Sequence, residues 1–493
     1  MNPLILGIDI GTSACKAALF SPDGKVVAQE SAVYKVFYPQ KGWAEQNPDD
    51  WWNAVCAALR AMLESSGIDS ADIAGVGIDG QSWAAIPLSK DGKCLCNTPI
   101  WMDMRAESIC LELKKNIGED KIFEVCGNPL QPAYTLPKIL WYKQNRREMY
   151  DKTDKILQSN SYIAYKLTGA VTQDICQAYG LHCFDMRAGK WEVALCGEMG
   201  INRGLLPEIF PCHAVVGEVT AEAAKACGLR AGTPVVAGGL DAACGALGAG
   251  VLHAGQTQEQ GGQAGGMSIC IDKYSSDPRL ILSYHVVPGK RLLQGGSVGG
   301  GGIMRWLGEE LWSDLSFREL DGEAKKAPAG SDGLVFLPYM SGERSPIWDV
   351  KAKGVYYGLD FAKTRGHMIR AGMEGAAFAL RHNLEVAENA GAKAGRLRAM
   401  GGAANSRLWT QMKADITGNP IDVPSSDKAT TLGAAMLAGV AVGVYRDFDE
   451  AVGKTVQVTR SHEPNESEKP VYDAGFEIYR ELYLHLKDLM QRG

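Results

Sequence analysis

The 493-residue sequence lacks several features that would assign it to a class at once. It has no apolar run long enough to span a membrane, and its first residues carry neither the basic segment nor the apolar core of a secretory signal. We therefore expect a cytoplasmic protein without membrane association. The formal net charge is only −6, with 57 acidic and 51 basic residues. A weakly acidic balance argues against nucleic acid as a partner and favours a small-molecule ligand.

The chain also lacks cysteine beyond Cys270, although it contains thirteen in all. Their number is odd and their spacing is irregular. Cys94 and Cys96 form a close pair, but no second pair or histidine stands at zinc-finger spacing. We therefore predict free thiols in a reducing compartment. No low-complexity linker divides the chain either, although 493 residues exceed what one ordinary core accommodates.

The first eighty residues have the order of elements of an α/β protein. The apolar runs 4–11 and 12–20 are joined by a Gly-Thr-Ser turn and lead into a third run, which predicts a three-stranded antiparallel meander. Residues 48–66 predict a helix capped by Asn47, and residues 73–80 predict a buried strand. A doubly wound dinucleotide fold is excluded because its first strand leads into a helix.

The second half of the chain predicts a similar succession of elements. A second apolar strand at 233–250 is followed by a glycine-rich stretch near residue 260 and by further short strands. A helix is predicted at 366–390, and another begins near Lys428. We infer an architectural repeat in which hairpin strands surround a glycine-rich turn and precede helices and strands. The predicted domains are 1–247 and 248–493.

The first hairpin turn has the residues of a phosphate-binding loop. Gly11, Thr12 and Ser13 offer backbone N–H groups and two hydroxyls to an anion, and Lys16 lies within reach of a phosphate oxygen. Asp9, at the end of the strand, is suited to hydrated Mg²⁺, which prefers a carboxylate and waters. The alternative is an ordinary Asp-Gly turn.

Asp241 is the candidate catalytic residue. It ends an apolar run and has glycines on both sides. Burying a carboxylate there is costly unless the group is solvated, paired or used. In phosphoryl transfer such a group accepts the proton of the attacking hydroxyl. The alternative is a cap of the helix that follows.

Two further glycine-rich turns are candidates for nucleotide binding. Gly401 and Gly402 would let a flat base lie on the backbone, with Asn405 near enough to hydrogen-bond it. The glycine-rich turn at 295–306, which precedes a helix, would line the other side. The alternative for the first turn is a simple strand-to-helix loop.

Two segments of the first half are suited to a polyol ligand. Gln81, Ser82 and Trp83 follow a strand, and Asp103 and Arg105 stand in a second polar stretch. An indole ring packs on the C–H faces of a sugar while the polar groups bind its hydroxyls. The alternatives are a packed tryptophan and a surface ion pair.

Taken in order, these segments resemble the FGGY family of carbohydrate kinases over essentially the whole chain, and they are most similar to its xylulokinase members. The motifs that carry the resemblance are GIDIGTSACKAALF, GWAEQNPDDWW, PIWMDMRAE, TLPKILWYKQN, SYIAYKLTG, GGLDAACGALGAG, GVYYGLDFAKTRGHMIRAGMEG and GGAANSRLWTQMKADITG. The resemblance implies two actin-like (ribonuclease H-like) domains flanking a deep catalytic cleft. Sugar would bind mainly the first domain and ATP mainly the second.

The resemblance also implies roles for single residues. Asp241 matches the catalytic base and a substrate contact, Asp9 the magnesium aspartate, and Thr12 and Ser13 the first phosphate loop. The residues that match the nucleotide-binding and second phosphate loops are Gly262, Gln263, Gly301, Gly402 and Ala403. The second loop is usually Gly-Thr-Ser-Gly, but here Gln263 and Ala264 replace its hydroxyl residues.

The implied activity is ATP- and Mg²⁺-dependent phosphorylation of the terminal primary hydroxyl of a ketopentose such as D-xylulose. Ser82 and Trp83 stand where xylulokinases usually carry Met-His, and Ala242 stands where many carry Asn. Another ketose, a polyol or an aldonate are therefore alternative substrates. A non-catalytic sugar- or nucleotide-binding protein with the same fold is a second hypothesis. A homodimer is what the resemblance implies for assembly.

Overall fold

The computed structural model describes residues 3–425 and 428–492. The chain forms two compact units. Of the described residues, the first consists of 3–252, Leu282–Leu292 and Lys428–Val456, and the second of His253–Ile281, 293–425 and 457–492. The units thus follow no single cut of the chain, and the division into domains 1–247 and 248–493 stays a prediction.

The strands fall into two groups along the chain. Those of the first 252 residues are β1 (Leu4–Ile10), β2 (Ala14–Phe20), β3 (Val26–Val33), β4 (Glu45–Gln46), β5 (Ile73–Gly80), β6 (Ile86–Leu88), β7 (Thr98–Pro99), β8 (Lys155–Leu157), β9 (Thr172–Asp174), β10 (Phe184–Asp185), β11 (Lys190–Trp191), β12 (Glu208–Phe210), β13 (Val215–Glu218), β14 (Pro234–Val236) and β15 (Gly239–Leu240). The later strands are β16 (Thr257–Gly261), β17 (Gly265–Ile271), β18 (Ile281–Tyr284), β19 (Arg291–Ser297), β20 (Val335–Leu337), β21 (Val355–Tyr357), β22 (Leu397–Met400), β23 (Ile421–Pro424) and β24 (Val458–His462).

The α-helices are distributed over both units. They are α1 (Pro48–Ser66), α2 (Glu107–Asn116), α3 (Glu119–Cys126), α4 (Thr135–Asn145), α5 (Arg147–Lys152), α6 (Ser159–Thr168), α7 (Val193–Glu198), α8 (Ala221–Cys227), α9 (Asp241–Gly248), α10 (Gly301–Trp306), α11 (Phe317–Ala324), α12 (Arg365–Asn389), α13 (Arg407–Thr417), α14 (Ala429–Ala441), α15 (Phe448–Thr455) and α16 (Lys469–Met490). Within the described residues, no helix combines the length and the apolar character needed to cross a membrane. All thirteen cysteines are free thiols, as predicted.

The sheet of the first unit confirms the predicted meander. Its strand order is β13-β14-β5-β1-β2-β3, and β15 also pairs with β5. Strands β1, β2 and β3 are antiparallel neighbours, whereas β1 and β5 run parallel. Helix α1 begins at Pro48 after Asn47, whose side chain accepts a hydrogen bond from the Asp49 N–H, and it ends at Gly67 in a left-handed conformation. Its apolar side chains are buried in the core of this unit.

The second sheet repeats this arrangement, which confirms the predicted repeat in strand order. Its strand order is β18-β19-β17-β16-β22-β23-β24. Strand β16 is antiparallel to β17 and parallel to β22, as β1 is antiparallel to β2 and parallel to β5. The predicted helix at 366–390 is present as α12.

The predicted strand over 233–250 is wrong for most of its length. Only Pro234–Val236 and Gly239–Leu240 are strands, and Asp241–Gly248 is helix α9. A short apolar run rich in alanine and glycine fits a buried helix as well as a buried strand, and periodicity does not separate the two. Asp241 therefore begins a helix.

Helix α14 packs with its backbone directly against two strands of the first unit. Gly7 of β1 and Gly77 of β5 are register partners. A Cβ atom on Gly7 would lie 2.0 Å from the Thr431 carbonyl oxygen, and one on Gly77 would lie 1.8 Å from the Ala434 carbonyl oxygen. These glycines permit an approach that any side chain would block, which places residues 429–441 in the first unit.

We expect the substitution Gly77→Ala to lower the free energy of unfolding by about 3 kcal/mol, because the new methyl group overlaps helix backbone that cannot rotate away. Gly453→Ala is the matched control, since Gly453 lies inside α15 and a Cβ atom there has no neighbour within 4 Å. Urea denaturation of both variants measures the difference. Equal unfolding midpoints would contradict this account of the packing.

Candidate active site

Three aspartates lie at the carboxyl ends of neighbouring parallel strands in the first unit. Asp9 on β1 is the register partner of Asp79 on β5, and Gly239 on β15 is also paired with Asp79. Asp241 follows β15 as the first residue of α9. Parallel strands end at the same edge of a sheet, so their terminal side chains gather there.

The protonation of Asp241 depends on its burial and on the charges around it. Burial and the charge of Asp9 raise the pKa of Asp241 to about 7, while the Ala242 N–H and the Lys16 ammonium oppose the rise. The Ala242 N–H donates to Asp241 Oδ1 at 2.6 Å. A carboxylate whose pKa is close to neutral is suited to accept a proton at physiological pH. Asp241 therefore stays the candidate general base that the sequence predicts.

Lys16, which the sequence places within reach of a phosphate, forms an ion pair with Asp9 in the structure. Its Nζ atom lies 3.1 Å from Asp9 Oδ2, across the β1–β2 pair. The Asp9 side chain is 7% exposed, whereas that of Lys16 is 58% exposed. The nearby charge of Asp9 raises the pKa of Lys16. The ammonium group is therefore held at the cluster yet keeps its access to solvent.

Sequence reasoning missed Asp79. The residue is fully buried, and neither carboxyl oxygen has a hydrogen-bond partner. Burial, reinforced by the charges of Asp9 and Asp241, raises the pKa of Asp79 well above its usual range. A signal existed in the sequence, because Gly-Ile-Asp occurs at 7–9 and 77–79 and Gly-Leu-Asp at 239–241. Each tripeptide places an acid at the same edge of the sheet.

The turn at Gly11, Thr12 and Ser13 is held from behind by its carbonyl groups. The Gly11 carbonyl accepts hydrogen bonds from Tyr34 Oη at 2.6 Å and Gln81 Nε2 at 3.2 Å. The Thr12 carbonyl accepts one from Gln46 Nε2, and Thr12 Oγ1 accepts one from Trp101 Nε1. These contacts fix the turn beside Asp9 and bring Gln81 to it.

Ser82 and Trp83 follow Gln81 at an aromatic wall. Trp83 has a positive φ of 63°, which is unusual for a bulky residue. Its ring packs 4.2 Å from that of Tyr134, and Tyr179 lies beside both. The Trp83 carbonyl accepts a hydrogen bond from the buried ammonium of Lys138, whose pKa is lowered to about 7 by burial. Trp83 Nε1 and Tyr134 Oη are buried and have no hydrogen-bond acceptor or donor among the described residues.

Asp103 and Arg105 form a buried ion pair. Arg105 donates from Nε to Asp103 Oδ1 at 2.9 Å and from Nη2 to Oδ2 at 2.8 Å. Its third nitrogen lies 2.7 Å from Glu45 Oε1, and its guanidinium stacks 3.8 Å from the centre of the Trp43 ring. The alternative of a surface ion pair is wrong, because the Arg105 side chain is only 3% exposed. Both charges are already matched within the protein.

The second unit contains a cavity of about 600 Å³ that brings its predicted nucleotide residues together. Six of them line it: Gly262, Gln263, Gly301, Gly402, Ala403 and Asn405. Gly401 lies directly behind, since a Cβ atom there would be 2.8 Å from Gly261. Met304 and Arg305, which also line the cavity, belong to the turn at 295–306 that is predicted to face the nucleotide, whereas Gly261, Phe317, Arg318, Asp321, Ser406 and Trp409 are not singled out by the sequence.

The glycine-rich stretch near residue 260 packs against a second glycine-rich loop of the same unit. The Gly301 N–H donates to the Gly262 carbonyl at 2.6 Å, and the Gly302 N–H donates to the Gln263 carbonyl at 2.9 Å. A Cβ atom on Gly300 would lie 2.3 Å from the Ala264 carbonyl carbon. The missing side chains therefore allow two backbone segments to touch, and this contact forms one wall of the cavity.

We expect Arg105→Met to lower the free energy of unfolding by about 3–5 kcal/mol, because it leaves the Asp103 carboxylate buried without its partner. Arg147→Met serves as the control, since Arg147 forms an exposed ion pair with Asp151 and its loss should change stability little. Urea denaturation compares the two. Wild-type stability of Arg105→Met would mean that the guanidinium serves a ligand instead of the fold.

Comparison with known proteins gives one consistent family. The FGGY family of carbohydrate kinases matches twice, by its N-terminal domain at residues 4–248 and by its C-terminal domain at residues 272–442. Xylulose kinase of Bacillus subtilis strain 168 is 30% identical over 487 residues, which are 98% of this chain and 97% of that protein. Gluconokinase of the same strain is 29% identical over 484 residues, 96% and 94% of the two chains.

A solved structure agrees with the sequence comparisons. The crystal structure of xylulose kinase from Rhodospirillum rubrum has a TM-score of 0.92 with this chain at 30% identity, and the match covers 99% of this chain and 100% of that one. The chain therefore belongs to the FGGY family of carbohydrate kinases, which are phosphotransferases.

Proposed function

We propose that this carbohydrate kinase transfers the γ-phosphoryl group of ATP to the terminal primary hydroxyl of a ketopentose, with D-xylulose as the substrate. The observation that supports it most is the position of Asp241 among the strand-end carboxylates, with a pKa of about 7. The matches to xylulose kinases over nearly the whole chain favour the ketopentose. A cytoplasmic location and a homodimer remain predictions of the sequence.

In this proposal Asp241 acts as the general base. Its carboxylate takes the proton of the sugar hydroxyl, whose oxygen then forms a bond to the γ-phosphorus as the bond to the ADP oxygen breaks. The proton stays on Asp241 until product leaves. Lys16 and the amides of the turn at Gly11, Thr12 and Ser13 would stabilise the charge that develops on the phosphoryl oxygens. No covalent phosphoenzyme is required.

Asp9 fits the magnesium ion that kinases of this type need. It offers carboxylate oxygens at the strand edge, its counter-ion Lys16 is largely exposed, and a second carboxylate without a hydrogen-bond donor lies beside it. Mg²⁺ takes carboxylate oxygens and retains several waters. When bound, the ion would neutralise charge on the phosphates.

The nucleotide would occupy the cavity of the second unit. Gly401, Gly402 and Ala403 would let the base lie on the backbone, and Asn405 would hydrogen-bond it. Gly262 and Gly301 would border the phosphates. Gln263 would replace the usual threonine hydroxyl with a longer amide donor, which changes the contact but preserves a hydrogen bond.

The predicted sugar contacts favour an uncharged substrate. Gln81, Ser82 and Trp83 would bind hydroxyls and the apolar face of the sugar, beside Asp241. Asp103 and Arg105 would support these contacts from behind. Arg105 is already paired with two carboxylates. Its positive charge is therefore not free to bind the carboxylate of an aldonate. The second candidate is nevertheless an aldonate kinase, because a gluconokinase is 29% identical over 96% of this chain.

A screen of ketoses, polyols and aldonates for sugar-dependent ADP release tests the proposal. D-Xylulose should give the highest kcat/KM, and Asp241→Asn should lower it by about 10²–10⁴-fold because the general base is lost. The melting temperature of the variant should stay at or above that of the wild type. If no sugar releases ADP faster than Asp241→Asn does, the chain is a non-catalytic binding protein. Release with aldonates alone would overturn D-xylulose.

The pH profile provides a separate check on the base. Only the deprotonated form of Asp241 accepts a proton, and its pKa of about 7 means that this form accumulates as pH rises. We expect kcat/KM to rise with pH below about pH 7 and to level off above it, since kcat/KM reports the protonation of the free enzyme. A rate that falls with rising pH over this range would rule out Asp241 as the base.

A further inference from the structure

Asp79 is a buried acid that the proposed reaction does not yet use. Its side chain is fully enclosed, and no donor reaches either carboxyl oxygen. An unpartnered carboxyl group in a protein interior is unfavourable by several times the cost of an unpaired neutral group. A protein retains such a group where it has a function to serve.

Other buried aspartates of the same unit show how the fold treats an acid whose role is structural. Asp174 accepts from the Gln177 N–H at 2.8 Å and from Asn160 Nδ2 at 3.0 Å. Asp103 accepts from the Ala44 N–H and from Arg105. Each of these carboxylates is surrounded by donors. Asp79 is equally buried but has none, so satisfied burial does not explain it.

The neighbours of Asp79 indicate what it attracts. Its register partner across the parallel β1–β5 pair is Asp9, and Asp241 acts on it as a further negative charge. Lys16 is the positive group that acts on it, and Lys16 is bound to Asp9 and largely exposed. Two adjacent carboxylates whose neighbouring positive group is the ammonium of a largely exposed lysine are a favourable environment for a divalent metal ion, which prefers oxygen ligands.

We propose that Asp79 is the second carboxylate of the divalent-cation site and positions the cation together with Asp9. This inference rests on the proposed kinase function. Both carboxylates are buried, and Asp79 is the fully enclosed member of the pair. Asp79 lies where water screens charge least, so a dication bound beside Asp9 would favour the ionised form of Asp79 and be attracted by it. When no metal ion is bound, the Lys16 ammonium forms the ion pair with Asp9.

Binding of Mn²⁺ to the full-length protein tests the proposal, with electron paramagnetic resonance reporting the free ion, both without nucleotide and with ADP. Asp79→Asn should weaken Mn²⁺ binding by about tenfold or more in both conditions, as should Asp9→Asn. Glu374→Gln is the matched control, because it removes a comparably buried carboxylate of the second unit that already accepts hydrogen bonds from the Gly330 N–H and the Ser331 hydroxyl. It should keep wild-type affinity.

Thermal unfolding without metal distinguishes this role from a structural one. Asp79→Asn should raise the melting temperature, because it removes a buried group that repels Asp9, and added Mn²⁺ should then stabilise it less than it stabilises the wild type. A variant that melts earlier and binds Mn²⁺ with wild-type affinity would overturn the proposal. So would a wild-type protein that binds no Mn²⁺ in either condition.

The two proposals fail in different ways. If Asp79 controls Mn²⁺ binding but no sugar supports ADP release, the cation site stands and the kinase proposal is overturned. If ADP release depends on Asp241 while Asp79→Asn binds Mn²⁺ normally, the kinase proposal stands and the role given to Asp79 is overturned.

Discussion

Helix α14 (Ala429–Ala441) determines the geometry of the first unit through direct backbone contact. Its carbonyl oxygens occupy the space above Gly7 and Gly77, and its Gly433 faces the Cys244 carbonyl of α9 at a distance that excludes a side chain. Strands β1 and β5 and helix α9 are therefore held by the same helix. These are the elements that carry Asp9, Asp79 and Asp241. One set of glycine contacts thus positions all three acids.

The acids have an electrostatic cost that the rest of the unit does not relieve. Asp9 has the Lys16 ammonium, Asp241 has the Ala242 N–H, and Asp79 has no donor at all. Close carboxylates in a poorly solvated site repel one another, which lowers stability and raises pKa values. A bound cation relieves this repulsion. The repulsion also raises the pKa of a neighbouring carboxylate, which makes that group a stronger base. The same charges that reduce the stability of the unit suit it to phosphoryl transfer.

The second unit has the same strand order without this charge. Counting from the turn glycines Gly11 and Gly262, Asp9 corresponds to Gln260, and the parallel neighbour of Gln260 is Met400. The acid on β16 is Glu259, whose carboxylate is 2.5 Å from Lys413 Nζ and neutralised by it in the interior. The two sheets therefore share a strand order but differ in chemistry. The β1–β2 hairpin lies at an acidic edge, whereas the β16–β17 hairpin borders a cavity lined by glycines, so the two hairpins suit different ligands.

Much of this arrangement could be predicted from the sequence, because it depends on local pattern. The meander, the capped helix at Pro48–Ser66 and the glycine turns follow from apolar periodicity and from turn chemistry, and the family follows from the order of the motifs. Asp9 and Asp241 were recognisable because each interrupts an apolar run. The strand predicted at 233–250 was wrong because a short buried run reads equally well as strand or helix.

Other features were decided only by tertiary contact. Residues 428–456 join the first unit because α14 fits against glycines more than 350 positions earlier in the chain, a match that no local pattern reveals. Asp103 and Arg105 fitted a sugar contact or a surface ion pair in the sequence, and only the fold shows them as a buried ion pair. Asp79 looked like one more residue of a buried strand. The sequence determined which acids exist, and the parallel register of β1 and β5 decided that two of them would stand side by side without a donor.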